Sequence, residues 1–226
     1  MTTLILGAHG PIGLACVRHA LSQGETVAAG VQLPHRLPPA LDDLRSEYPS
    51  QLTSFDWSIG QWPDVGAYDR ALVAELPVPP SQPEEGDDPF ADIRASTADA
   101  VSSEIHRVIA PTLAAIRFVT HAKPSRVLLQ ASWLGVVDEK IRGGGYALAA
   151  AYAAHLMLVR AAALDLHRGG IATVVGNAGR YRLDMAGPGF HADIDDVARG
   201  LLQLLGTVDA TAEPQFRDWR GDVRRW

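Results

Sequence analysis

The stretch "LILGAHGPIG" (4–13) sets Gly7, Gly10 and Gly13 three residues apart, directly after an apolar run, with His9, Pro11 and Ile12 inside the turn. Glycines let a chain turn tightly, approach a diphosphate and pack a helix against a strand. A helix that opens there offers unpaired N–H groups and the positive end of its dipole, and both attract phosphate. The chemistry expected of the turn is therefore dinucleotide binding. The alternative is a tight turn with no ligand. An NAD-type site places Asp or Glu at the end of the second strand, but "AAGVQLPHR" (28–36) has neither. His9 and Arg36 are the groups that can meet a 2′-phosphate, so NADP(H) is expected over NAD(H). Both also fit as solvated surface residues.

The elements that must hold this turn follow from periodicity. "LIL" (4–6), "TVAAG" (26–30), "LTSF" (52–55), "ALV" (71–73), "RVLLQ" (126–130) and "IATVV" (171–175) read as strands, with a weak further strand at Phe216. Helical patterns alternate with them. One runs from Ile12 to Gln23, and one opens at Pro38–Pro39 with Leu41, Leu44 and Tyr48 on one face. Another covers 97–122 with Pro111 bending it. An alanine-rich helix ends at "HRGG" (167–170), and an amphipathic helix covers 193–205. Continuous apolar strands alternating with helices mean α/β architecture: a doubly wound parallel sheet with helices on both faces. The segment 76–93, rich in proline and acid, reads as a solvated loop or as a lid beside a ligand site.

Composition narrows the function. With 226 residues, 47% hydrophobic and 20% charged, the chain suits a single domain spanning 1–226. A net charge of −6 argues against a nucleic-acid surface. The lone Cys16 permits no intrachain disulfide and suits a cytoplasmic protein. The longest apolar stretch (146–164) is broken by His155 and Arg160, so no membrane span is expected. The eight histidines show no ligand spacing, so no metal is expected. The tail 214–226 mixes Arg and Trp with Asp218 and Asp222, and is expected to pack on the body or on another subunit.

Taken in order, these motifs resemble the short-chain dehydrogenase/reductase family over nearly the whole chain. The resemblance rests on Gly7–Gly10–Gly13, Asp56 in "SFDWS", Ser132 in "QASWLG", Gly179 in "NAGRYRLDM" and the helix "DDVARGLLQLL". It implies that Asp56 lies near the adenine, that Gly179 belongs to the cofactor segment after the sixth strand, and that Ser132 orients a substrate oxygen. It also implies a Tyr and a Lys four residues apart, and this pair is missing. One register puts Leu148 and Tyr152 at the two positions; the other puts Tyr146 and Ala150 there. The nearest lysine is Lys140, before the helix, and Arg107 replaces an expected asparagine.

Catalytic candidates are thus Ser132, Tyr152 and Tyr146. The bland readings are a turn serine, a core or interface tyrosine, and a hinge tyrosine. His155, three residues after Tyr152, can share its face and titrate near neutrality, or be a satisfied interface histidine. Arg107 can counter a substrate anion or pair with Glu104. Tyr181 and Arg182 fall where the family shapes its substrate pocket. The expectation is an NAD(P)H-dependent oxidoreductase acting on the carbonyl or alcohol of a small organic molecule. The alternatives are a non-redox cyclase, dehydratase or isomerase on the same fold, or an inactive NAD(P)-binding sensor. The alanine-rich helix predicts a homodimer or homotetramer.

Overall fold

The computed structural model describes residues 1–32, 38–57, 67–74, 76, 91–140, 143–181 and 192–226. Arg36, Arg182, Asp184, Met185 and most of the 76–93 segment lie outside the described residues.

The first half comprises β1 (Thr2–Leu6), α1 (Pro11–Ser22), β2 (Thr26–Val31), α2 (Pro39–Glu47), β3 (Leu52–Asp56) and β4 (Arg70–Val73). The second comprises α3 (Ala91–Ala95), α4 (Ala98–Ala122), β5 (Arg126–Ala131), two short 3₁₀ turns (Trp133–Gly135, Val137–Glu139), α5 (Tyr146–Arg168), β6 (Ala172–Asn177), α6 (Ile194–Thr207) and β7 (Phe216–Asp218). The seven strands form one sheet in the order β3-β2-β1-β4-β5-β6-β7. Every pairing is parallel.

Parallel strands buried on both faces explain the unbroken apolar runs. In β1, Ile5 faces α1, α2 and α6 through Cys16, Leu41 and Leu201, whereas Leu4 and Leu6 face α4 and α5 through Val119 and Val159. Alternate side chains of one strand thus feed two cores. The chain winds outward from β1 to β3, then crosses back to β4 on the other side of β1. That reversal opens a crevice at the carboxyl ends of β1 and β4, where doubly wound sheets bind ligands.

One expectation changes: residues 91–93, read as the end of the 76–93 loop, belong to α3. The weak strand at Phe216 is a full sheet member, in register with Val175–Asn177. The 98–122 helix runs continuously through Pro111. Thr97 caps it, accepting from Ala100 N at 3.1 Å.

At the amino ends of the strands, Arg70 donates to Glu25 at 2.6 Å, to Thr3 at 2.9 Å and to the Leu202 carbonyl at 3.2 Å. Thr3 in turn donates to Glu25 at 2.5 Å. A buried charge pair is tolerated when its remaining hydrogen-bonding positions are filled, as they are here.

Candidate active site

The glycine turn is built from backbone. Gly7 has φ +89°, a conformation that favours glycine. Its N–H and that of Ala8 donate to the Gly30 carbonyl at 3.0 and 3.1 Å, fixing the turn to the end of β2. A Cβ on Gly13 would stand 2.1 Å from the Gly7 carbonyl oxygen, so α1 lies against the turn only because residue 13 has no side chain. Gly10 differs. Its φ is −82°, and a Cβ there would meet only the Gly7 oxygen at 3.4 Å. Gly10 is the N-cap of α1 and supplies no side-chain acceptor, Pro11 follows it, and the first turn holds no acid. The first intrahelical bond is Leu14 N to Gly10 O. The Ile12 and Gly13 amides are therefore left for an outside acceptor. These residues fit a diphosphate.

Around the turn, His9 Nδ1 accepts from Gln32 N at 3.5 Å. Partial burial lowers its pKa, favouring the neutral form, with Nε2–H as donor. The described end of β2 carries Gly30, Val31 and Gln32, so no carboxylate stands there. Asp56 ends β3, opposite Val31.

The other half lies at the tips of β5, β6 and β7. Ser132 follows β5 directly, and its Oγ accepts from Leu134 N at 3.2 Å, capping the first 3₁₀ turn. The hydroxyl proton stays available to a ligand oxygen. That turn presses on α5: a Cβ on Gly135 would lie 2.3 Å from the Tyr152 carbonyl oxygen. Tyr152 is buried beside Val108 and Ala151, with Ile105, Leu134 and Leu148 around them. Burial pushes its phenol up to about 12; Arg107 pulls it down, while Glu104 and Tyr181 add to the rise. Arg107 Nε donates to Glu104 at 2.9 Å, so much of its charge is already matched. Tyr146 starts α5 and is 36% exposed. Beside it, the Asp92 carboxylate of α3 accepts from Gly145 N, and Lys140 Nζ donates to the Gly144 carbonyl at 2.8 Å. The lysine nearest the helix thus braces its own loop.

Of the two readings of His155, the structure favours the packed one over the titrating one. This histidine is fully buried between α5 and α4, with Nε2 3.0 Å from Thr112 Oγ1 and no partner for Nδ1. Burial pushes its pKa down to about 4, so it is neutral at pH 7 and does not titrate near neutrality.

A cavity of about 290 Å³ opens over Asn177 at the tip of β6. Gly179 reaches it through φ +67°, its N–H donating to Asn177 Oδ1 at 3.0 Å. Trp133 and Trp219 flank it. Trp219 is fixed by its N–H to the Asn177 carbonyl at 3.0 Å. The close approach of α6 also fixes it: a Cβ on Gly200 would lie 2.1 Å from the Trp219 oxygen. The tail therefore packs on the body, with Trp226 stacked on Phe216 at 5.7 Å. Sequence reasoning missed Trp133, Asn177 and Trp219. The Arg/Trp mixture of the tail was their one visible signal. Among the described residues no cluster of three metal-ligating side chains occurs. Among the described residues one helix, α5, is long and apolar enough to cross a membrane by length and composition; here it lies along α4 and the sheet, contributing Leu156, Val159 and Ala163 to the core.

No protein-family model and no curated protein matches the chain. Solved structures do. A Burkholderia multivorans protein assigned to the short-chain dehydrogenase/reductases, with NADP bound, is 20% identical over 100% of this chain and 99% of its own, with a TM-score of 0.79. A carbonyl reductase from Pseudomonas aeruginosa PAO1 in complex with NADP is 20% identical over the same shares, with a TM-score of 0.76. The carbonyl reductase Sniffer of D. melanogaster is 14% identical, again over 100% and 99%, with a TM-score of 0.74. The chain has the Rossmann-type fold of the short-chain dehydrogenase/reductases.

Proposed function

We propose that the chain is a divergent short-chain dehydrogenase/reductase that binds NADP(H) and reduces the carbonyl of a small organic substrate, or runs the reverse. The observation that carries this reading is the uncapped amino end of α1 above the Gly7–Gly13 turn, at the strand-end crevice that also holds Ser132. The NADP-bound proteins of the same fold support the cofactor class. The absence of a carboxylate at the described end of β2 supports the 2′-phosphate.

A reduced nicotinamide, when bound, supplies a hydride. The Ile12 and Gly13 amides hold the diphosphate. His9 and Arg36 meet the 2′-phosphate, Asp56 lies toward the adenine, and Gly179 lets the chain after β6 pass close to the cofactor. Ser132 Oγ–H orients the substrate oxygen. Tyr152, kept protonated by burial, or Tyr146 or water gives the proton. Positioning carries much of the rate when acid–base assistance is weak. The exposed Met157 (62%) and Leu164 (37%) of α5 support pairing of two copies.

Titration with NADPH and NADH, followed by reduced-nicotinamide emission, tests the reading. Saturable binding is expected, with NADPH tighter by about tenfold, some 1.4 kcal/mol. Gly10→Asp is expected to abolish it: aspartate is a good helix N-cap, yet it sets a negative charge against the diphosphate. An unchanged emission with both nucleotides sinks the proposal. The second reading, a non-redox enzyme on this fold, is favoured by one observation: the nearest lysine braces its loop while Tyr152 is held up at about 12. Substrate conversion without NADPH oxidation is its signature.

A further inference from the structure

The cavity over the tips of β5, β6 and β7 has a chemistry of its own. Ala131, Asn177 and Asp218 stand in one register row across the three strands. Trp133, the residue after Ser132, lines the cavity. The cavity volume of about 290 Å³ sits at the lower end of small-molecule sites, which begin near about 300 Å³. Two indoles wall it. Over them lie two guanidinium groups: Arg180 is 4.9 Å from the Trp133 ring centre, and Arg220 is 4.7 Å from that of Trp219.

The charges around the cavity are unequal. Arg224 is matched by Glu139. Asp218 Oδ1 is turned into its own loop, accepting from Arg220 N and Asp222 N at 3.0 Å each. Arg180 and Arg220 have no carboxylate partner among the described residues. Each is held by an aromatic face, which orients a cation without neutralising it. Asn177 Oδ1 is occupied by Gly179 N, which leaves its NH₂ group to donate. The site therefore offers positive charge, N–H donors and flat apolar walls.

Resting on the function proposed above, we infer that the substrate is a flat, conjugated carbonyl compound bearing a carboxylate, its body between Trp133 and Trp219 and its anion on Arg180 and Arg220. Guanidinium forks match carboxylates in two-bond geometry, and such charge-assisted bonds are about twice as strong as neutral ones. A neutral carbonyl compound leaves both cations without an anion.

The test uses the full-length protein with NADP⁺ present and benzoylformate as probe, followed by calorimetry. Its methyl ester is the uncharged control, and acetate is the anion without a flat body. The acid is expected to bind at least about tenfold tighter than the ester, with acetate weaker than both. Arg180→Gln with Arg220→Gln is expected to erase the acid–ester gap. Trp219→Leu is expected to weaken acid and ester alike. Circular dichroism checks that each variant folds. Equal affinity for acid and ester, or a gap that survives the double substitution, overturns the inference. NADPH titration of the same preparation separates the two ideas. Nucleotide binding without acid preference removes only the substrate class. Acid preference without nucleotide binding removes the oxidoreductase reading and leaves a carboxylate pocket.

Discussion

The Gly7–Gly13 turn follows β1 and the Tyr152 cluster is packed between α4 and α5, and the two are made of different material. The turn is backbone: a left-handed Gly7, a helix that closes on Gly13, and amides left open by an N-cap without a side chain. The Tyr152 cluster is side chain: a buried phenol, an Arg107–Glu104 pair and a histidine sealed behind Thr112. Backbone recognition depends on a few small residues and survives wide sequence change around them. Acid–base chemistry depends on particular side chains, and here the expected lysine has no counterpart. The backbone half thus has the geometry that the resemblance calls for, while the side-chain half departs from it.

The strongest way to break this contrast is Gly13→Val. Its side chain has to enter the 2.1 Å gap to the Gly7 oxygen, where backbone must move. Loss of nucleotide binding is expected, with destabilisation of at least about 1–3 kcal/mol, read by urea denaturation. Retained binding means that the turn is not the cofactor platform. Next is Tyr152→Phe. If its hydroxyl supplies the proton, turnover falls about 10²–10⁴-fold while NADPH affinity holds; a change under about threefold hands the role to Tyr146 or water.

The third concerns acid. His155 has a folded pKa of about 4, below the ordinary 6.5. Below about pH 6.5 the unfolded chain takes up a proton that the folded chain refuses, so stability falls as pH drops toward 4. The full loss is about 3 kcal/mol. His155→Leu is expected to flatten that limb in denaturation midpoints measured at pH 7 and pH 4.5. A limb of unchanged slope assigns the acid sensitivity elsewhere. The smallest effect is Glu104→Gln. With that carboxylate gone, Arg107 acts on Tyr152 unopposed, and the phenol pKa is expected to move down in ultraviolet difference titration. An upward move contradicts the arrangement.

The sheet, the glycine turn and the helix order were legible because they follow from local patterns: strand-length apolar runs, glycine spacing and helix stops. Ser132 was legible only through the family resemblance, as the serine that follows the fifth strand. Residues 91–95 were not, because their helix is one short turn-forming piece next to an acidic, proline-rich stretch. The burial of His155 and Tyr152 was one of two open readings because α5 is alanine-rich on every side, so no periodicity announces which face turns inward. The cavity was hidden because Trp133, Asn177 and Trp219 come together only when β7 joins β6, a pairing some forty residues apart in the chain. Long-range pairing leaves no local trace.

The Arg70–Glu25–Thr3 cluster lies at the amino ends of the strands, roughly 13 Å below their tips for a five-residue strand. Changes that far apart usually add independently. The anchor that joins β1, β4 and α6 therefore tolerates remodelling at the opposite rim. This protein is suited to laboratory evolution, in which rim side chains outside the close-packed Gly7–Gly13 turn are varied while the polar anchor is left untouched.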